Sequence, residues 1–117
     1  MSGNVIYDKS YDFAIRIVKL YKYLIVEHKE YVLSKQVLRS GTAIGALVRE
    51  AKFAQSRADF INKMSIALKE ANETSYWLDL LYDTNYISQK MHQDINSEIN
   101  ELISLLVAIV KNSKNNS

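Results

Sequence analysis

The sequence predicts an all-α protein: a single-domain, up-down-up-down antiparallel four-helix bundle over residues 1–117. Three observations indicate this fold. The chain has no proline and only three glycines, so it contains few of the residues that make turns. Apolar residues form 48% of the sequence and recur at helical spacing. Short polar breaks divide them into four segments, and short connections place consecutive helices antiparallel.

The first two predicted helices span about residues 8–28 and 31–54. Asp8 or Ser10 can cap the first helix, because their side-chain oxygens accept hydrogen bonds from the unpaired amides of a first turn. Its apolar face is wide enough for a bundle core. The polar residues 28–30 separate it from the second helix.

The other two predicted helices span about residues 57–83 and 88–111. Ser56 followed by Asp59 resembles a capping box, and Ser88 can cap the last helix. Residues 112–117 have too little apolar content to pack, so we expect a frayed tail.

The turn between the second and third helices also predicts their register, because facing residues are related by reflection about it. The pairs set opposite each other are Gly45 with Ala67, Gly41 with Ala71, and Arg39 with Glu73. A glycine inside a helix costs about 1 kcal/mol relative to alanine, so the two glycines indicate close helix packing against the alanines. The charged residues predict an ion pair that sets the register.

Apolar residues exceed what one bundle core can hold. Residues 102–110 are apolar at every position except Ser104, and a helix that is apolar all round is buried on all sides. We therefore expect a homo-oligomer, although an unusually apolar monomer remains open. The residues predicted at the interface are Tyr23, Tyr76, Trp77, Leu105 and Val110.

Basic residues are concentrated in the first half of the chain. Residues 1–60 carry ten basic and six acidic residues, whereas residues 61–117 carry five and seven. The basic residues at helical spacing are Arg16, Lys19, Lys22, Lys35, Arg49 and Lys52. Such a row can neutralise phosphates without reading bases, and it is the predicted nucleic-acid site. An ordinary solvated face remains the alternative.

Several kinds of chemistry do not fit the sequence. It has no cysteine, and a di-iron bundle needs Glu-x-x-His, whereas Ile25 and Gln89 stand three residues before His28 and His92. Both histidines are interpreted as solvated surface residues. The Gly41–Gly45 segment lacks the Gly-Lys-Ser/Thr of a phosphate loop. We predict no enzyme activity, metal, cofactor or small-molecule substrate and, without a leader or membrane span, a cytoplasmic protein.

Six short segments together carry a family resemblance over about residues 8–112. They are residues 15–21 (IRIVKLY), 38–46 (LRSGTAIGA), 50–51 (EA), 59–60 (DF), 69–74 (KEANET) and 76–78 (YWL). Their combination resembles the four-helix-bundle proteins encoded by intervening sequences in bacterial 23S ribosomal RNA genes, whose relatives include the accessory variability protein of diversity-generating retroelements. The resemblance implies a ring-like homopentamer, sometimes with a basic surface suited to nucleic acid.

Together these observations predict a non-enzymatic oligomeric accessory protein. Its partners would be further copies of itself and RNA or a nucleoprotein, bound through the basic faces of the first two helices. The alternative is a protein-binding scaffold or structural oligomer with no nucleic-acid role. The sequence leaves both open.

Overall fold

The computed structural model describes residues 2–115, with side chains from Val5 onward, and contains four α-helices. They are α1 (Ser2–Glu27), α2 (Leu33–Lys52), α3 (Arg57–Asp83) and α4 (Gln89–Asn115). The described residues include no strand, which confirms the predicted all-α fold of four helices. The body measures 47 × 22 × 21 Å. Helices α1 and α3 each pack against both α2 and α4.

The core runs along the space enclosed by all four helices. The largest fully buried side chains are Phe13, Ile17 and Leu24 of α1, Val37, Ile44 and Val48 of α2, Met64, Leu78 and Leu81 of α3, and Ile99, Leu102 and Leu106 of α4. Burying one such side chain stabilises the fold by roughly 1.5–3 kcal/mol. None of the helices between residues 2 and 115 has a stretch apolar enough to span a lipid bilayer.

Two helix starts carry the caps that the sequence predicts. The Ser56 side chain accepts a hydrogen bond from the Asp59 amide at 3.0 Å, and the Asp59 carboxylate accepts one from the Gln55 amide at 3.2 Å. Ser88 accepts from the Met91 amide at 3.2 Å. Helix α3 therefore has the same bounds in the structure as in the prediction.

Helix α1 begins earlier than predicted, at Ser2 instead of residue 8. Ile6 lies one turn before Ser10 and is buried in the core, which favours continuing the helix through the predicted capping residues. Ser10 itself is buried, and its hydroxyl donates to the Tyr7 carbonyl at 3.1 Å, so it lies within the helix and does not cap it.

Helix α2 begins later than predicted, at Leu33 instead of residue 31. Lys29 adopts a left-handed backbone with φ of 53°, which ends the first helix and turns the chain. The Glu30 carboxylate then accepts hydrogen bonds from the amides of Val32, Leu33 and Ser34 at 3.2, 3.0 and 2.7 Å. Glu30, two residues before the N-cap residue Val32, thus supplies hydrogen-bond acceptors to amides at the start of α2 that have no partner within the helix. At its other end α2 stops at Lys52, where the Phe53 amide bonds to the Glu50 carbonyl in a tightened turn.

Helix α4 is longer than predicted and continues to Asn115. The guanidinium of Arg57 donates to the Ser113 carbonyl at 3.3 Å, which satisfies a carbonyl that a helix end leaves unpaired. The prediction of a frayed tail was therefore wrong for residues 112–115, and residues 116–117 lie outside the described part.

The two glycines of α2 lie where α1 packs against this helix. A Cβ built on Gly41 would lie 2.8 Å from Ile17 Cγ1, and one on Gly45 would lie 3.2 Å from the Ser10 carbonyl oxygen. Ser40 contacts α3, and Gly41 follows it about 100° further around the helix, towards the other neighbour. Close packing is present at both glycines, and the nearest atoms belong to α1; the pairing with Ala67 and Ala71, which are buried in α3, stays a prediction.

Candidate nucleic-acid interface

The structure divides the six predicted phosphate-binding residues into one paired and five unpaired side chains. Arg16 is paired, because its Nε lies 3.2 Å from Glu98 Oε2 of α4. The other five are exposed and have no carboxylate oxygen within 4.0 Å among the described residues: Lys19, Lys22, Lys35, Arg49 and Lys52. Their charge is available to an anionic partner.

A groove of about 740 Å³ lies between α1 and α2, and two of these five cations line it. We call it the α1–α2 groove. The Arg49 guanidinium carbon lies 5.7 Å from the centre of the Tyr11 ring, and Lys52 Nζ lies 5.4 Å from the centre of the Tyr7 ring. A cation over an aromatic face gains about 0.5–1 kcal/mol at an exposed site, so the rings hold both charges in place.

The two tyrosines are site residues that the sequence reasoning missed. The tyrosines lie four residues apart on α1, and Arg49 and Lys52 lie three residues apart on α2. Each pair therefore shares one face of its helix. This matched spacing of rings and cations is the signal that could have found them. Without the pairing of α1 with α2, however, it does not show that the rings and the cations meet.

Two carboxylates also line the α1–α2 groove. Glu50 is engaged by Lys63 of α3 at 3.0 Å, and this hydrogen bond raises the pKa of Lys63. Asp8 is exposed and has no basic partner among the described residues. Its charge opposes part of that of Arg49 and Lys52, so the groove carries a small net positive charge.

Where α2 meets α3, Arg39 joins a cluster with two glutamates of α3. Its Nη1 lies 3.2 Å from Glu70 Oε1, and its Nη2 donates to Glu73 Oε2, which also accepts from Trp77 Nε1 at 3.1 Å. The hydrogen bonds to Glu70 and Glu73 raise the pKa of Arg39, and those from Trp77 and Arg39 lower the pKa of Glu73. The structure thus brings together the pair that the register predicts.

The residues predicted at an oligomer interface differ in exposure. Tyr76 is exposed and packs edge-on against Trp77 with ring centres 5.0 Å apart. The remaining four are partly buried against the core: Tyr23, Trp77, Leu105 and Val110. Other apolar side chains are more exposed than these four: Tyr11, Ile15, Val26, Tyr31, Val32, Phe53 and Val107.

The two histidines have different surroundings. His28 is exposed, as expected, and its Nε2 lies 3.1 Å from the Tyr23 hydroxyl. His92 is not a solvated surface residue: it stacks on Tyr82, and its Nε2 lies 2.8 Å from Asp79 Oδ1. It stands on the side of α4 that packs against α3, which a prediction without helix pairing could not identify. In the described part of the chain, no group of three or more His, Cys, Asp or Glu side chains is arranged to hold a metal ion.

The sequence matches the family model described as 23S rRNA-intervening sequence protein over residues 3–108. The chain is also similar to a solved crystal structure, that of a protein with unknown function from the S23 ribosomal protein family of Bacteroides thetaiotaomicron. The two chains are 60% identical and superpose with a TM-score of 0.93, covering 95% of this chain and 99% of the other. No curated protein matches the chain significantly.

Proposed function

The chain belongs to the family of 23S rRNA-intervening sequence proteins, and from this premise we propose that it is a non-enzymatic accessory protein that binds RNA, free or within a nucleoprotein. The observation that carries the proposal is the set of five exposed cations on α1 and α2 that have no carboxylate partner within the described part of the chain. Such side chains neutralise phosphates and release the counterions condensed on the nucleic acid, and this release favours binding.

The cations extend along the bundle and do not cluster at one point. Lys35 and Arg49 lie fourteen residues apart on α2, which separates their Cα atoms by about 21 Å along the helix axis. Lys52 lies near Arg49, within the same turn. A row of this length can contact several phosphates of one RNA, which supports backbone binding without reading of the base sequence.

We include self-association in the proposal, as a ring-like homopentamer of up-down-up-down bundles related to the retroelement accessory proteins. Exposed apolar side chains on α1 and α4 support it: Ile15, Val26 and Val107. The packing of α1 and α3 against both α2 and α4, with short connections, supports the up-down order. The absence of cysteine supports a cytoplasmic location. Light scattering that shows a 13.5 kDa particle at micromolar concentration would overturn the oligomer.

The experiment for RNA binding is a titration of fluorescently labelled structured RNA over a series of salt concentrations. We expect the logarithm of affinity to fall by several units per unit of log salt, and Lys22→Gln and Lys35→Gln each to reduce that slope by about one. Arg16→Gln is the matched control, because Glu98 already neutralises Arg16 and the slope should stay nearly unchanged. No binding at low salt, or equal slopes for all variants, would refute the proposal.

A second candidate function is a protein-binding scaffold with no nucleic-acid role. It is favoured by two exposed apolar side chains at the connections between helices, Val32 and Phe53, which are 69% and 75% exposed. A partner protein that co-purifies without nucleic acid, and is lost in the Phe53→Ser variant, would favour this candidate over RNA binding.

A further inference from the structure

Phosphate binding requires only cations, yet the α1–α2 groove also presents aromatic rings. We propose that this groove binds single-stranded RNA, with a base stacked on Tyr11 and the neighbouring phosphates held by Arg49 and Lys52. The inference rests on the proposed function and deepens it by naming the form of RNA that the groove accepts.

Tyr11 offers the stacking surface. Its side chain is 55% exposed although Arg49 stands over the ring, so a large part of the ring remains open to a planar partner. The ring is carried by a helix and held by the guanidinium, so little conformational entropy is lost when a base stacks on it. Aromatic rings stack with any base, because every base has a π-face.

Arg49 and Lys52 supply the phosphate contacts beside that surface. Both lie within 6 Å of a tyrosine ring centre, and they are three residues apart on one face of α2. Arg49 therefore lies beside a base stacked on Tyr11, and Lys52 lies near the Tyr7 ring one turn away on α1, so the two cations can contact neighbouring phosphates of one strand. Arginine is well suited to this position, since its planar guanidinium stacks on rings and binds phosphate through paired N–H groups.

The shape of the groove favours a single strand over a duplex. Thr42 and Ala46 of α2 also line the groove, and both are small. At Gly45, by contrast, the two backbones are so close that a Cβ would lie 3.2 Å from the Ser10 carbonyl oxygen, so a base can enter only at the open side of the groove. In an A-form duplex the base faces are already stacked on one another, and only edges, sugars and phosphates are accessible. An exposed ring can stack only on a base face that no other base covers, and a single strand offers such faces along its length, whereas a duplex offers them only at its two ends.

The test is fluorescence anisotropy with two labelled probes, an unstructured twelve-nucleotide pyrimidine RNA and a twelve-base-pair RNA duplex, both at low salt. We expect the single strand to bind more tightly than the duplex. Tyr11→Ala should lower affinity for the single strand about tenfold and leave affinity for the duplex unchanged. Tyr11→Phe keeps the ring and should retain the affinity of the parent protein.

Tyr31→Ala is the matched control, because Tyr31 is a similarly exposed tyrosine outside the groove and should not affect either probe. Circular dichroism checks that each variant is folded. Equal single-strand affinities for Tyr11→Ala and Tyr31→Ala would overturn the inference while RNA binding itself stands. Failure of the parent protein to bind either probe would instead remove the proposed function.

A second test uses the Asp8→Asn variant, which is expected to bind the single strand more tightly than the parent protein. This carboxylate lines the groove and has no basic partner between residues 5 and 115, so removing its charge should strengthen binding of the single strand several-fold. Lys9→Gln, one residue away but paired with Glu101 of α4 at 3.0 Å, is the control for changes of charge near the groove. An unchanged or weaker affinity of Asp8→Asn would show that the strand does not enter the groove.

Discussion

Helix α2 meets its two neighbours in different ways. Towards α3 it makes ion pairs and a buried hydrogen bond: Arg39 contacts Glu70 and Glu73, and Thr74 donates to Ser40 at 2.9 Å. Towards α1 it makes no ion pair among the described residues. There, two glycines let the backbones approach, and two cations stand over tyrosine rings.

The comparison shows that the neighbouring helix determines whether an arginine of α2 is neutralised or keeps its charge available. Arg39 and Arg49 are both exposed and only ten residues apart, yet one is neutralised by two carboxylates and the other contacts a ring. A ring leaves the full positive charge available to solvent, whereas a carboxylate cancels it. The arginine on the side facing α3 is therefore neutralised within the bundle, whereas the arginine on the side facing α1 can bind an anion.

The largest expected effect tests the packing between α1 and α2. Gly41→Ala places a methyl group 2.8 Å and 2.9 Å from the two γ-carbons of Ile17, a side chain that is fully buried and cannot move away. Overpacking of this kind outweighs the gain in helix propensity, so we expect a loss of about 2 kcal/mol in the free energy of unfolding. Urea denaturation followed by circular dichroism measures it.

A double-mutant cycle attributes that loss to the contact. Ile17→Ala removes both γ-carbons and Cδ1 from the crowded site, so Gly41→Ala should be less destabilising in this background than in the parent protein. Equal losses in both backgrounds would show that Gly41 does not limit the approach of α1. If Gly41→Ala instead stabilised the protein, the higher helix propensity of alanine would outweigh any clash with Ile17. The packing of α2 against α1 would then be no tighter than its packing against α3.

The next largest effect concerns the connection that brings α2 back against α1. In Glu30→Ala the amides of Val32, Leu33 and Ser34 lose their acceptor, so we expect a loss of about 1 kcal/mol at neutral pH. Burial alone would raise the pKa of Glu30, but these three hydrogen bonds outweigh it and hold the pKa below its usual value of 4.5.

The sign of the pH dependence follows from that lowered pKa. The stabilisation by Glu30 is complete above pH 4.5 and is lost as the pH falls through the lower pKa of the folded state. The difference in unfolding free energy between parent protein and Glu30→Ala should therefore shrink in acid. A difference that is the same at pH 7 and pH 3 would show that the carboxylate charge does not cap α2.

The sequence predicted the architecture better than it predicted the candidate site. Periodicity and the absence of proline were sufficient for four helices, and reflection about one turn placed Arg39 opposite Glu73 because a two-helix register depends only on local spacing. The contacts of Gly41 with Ile17 and of Tyr11 with Arg49 depend on how α1 packs against α2. This packing is set by all four helices, so the sequence of a single helix does not predict these contacts.

The two arginines of α2 offer a direct contrast between the regions. Arg39→Gln should lower the free energy of unfolding by less than about 1 kcal/mol, because the pair is half exposed, and it should not change RNA affinity. Arg49→Gln should lower the free energy of unfolding by no more than about 0.5–1 kcal/mol, the strength of its contact with Tyr11, and it should reduce the salt slope of RNA binding by about one. Denaturation and salt titration of both proteins check this; a stability loss above this range from Arg49→Gln alone would reverse the assignment.

The smallest expected effect has a spectroscopic readout, because Trp77 is the only tryptophan and donates to Glu73. The hydrogen bond from Trp77, followed by the one from Arg39, lowers the pKa of Glu73. The stabilisation of the fold by the Glu73 carboxylate, about 0.5 kcal/mol for an exposed pair, is present above pH 4.5 and disappears as the pH falls through the lowered pKa.

In the folded protein the Trp77 emission should therefore change with one transition below pH 4.5. Glu73→Gln should abolish that transition, whereas Glu50→Gln, which removes another α2 carboxylate, paired with Lys63 of α3, should preserve it. A transition that persists in Glu73→Gln would mean that another group near the indole titrates and that the α2–α3 cluster does not depend on the Glu73 charge.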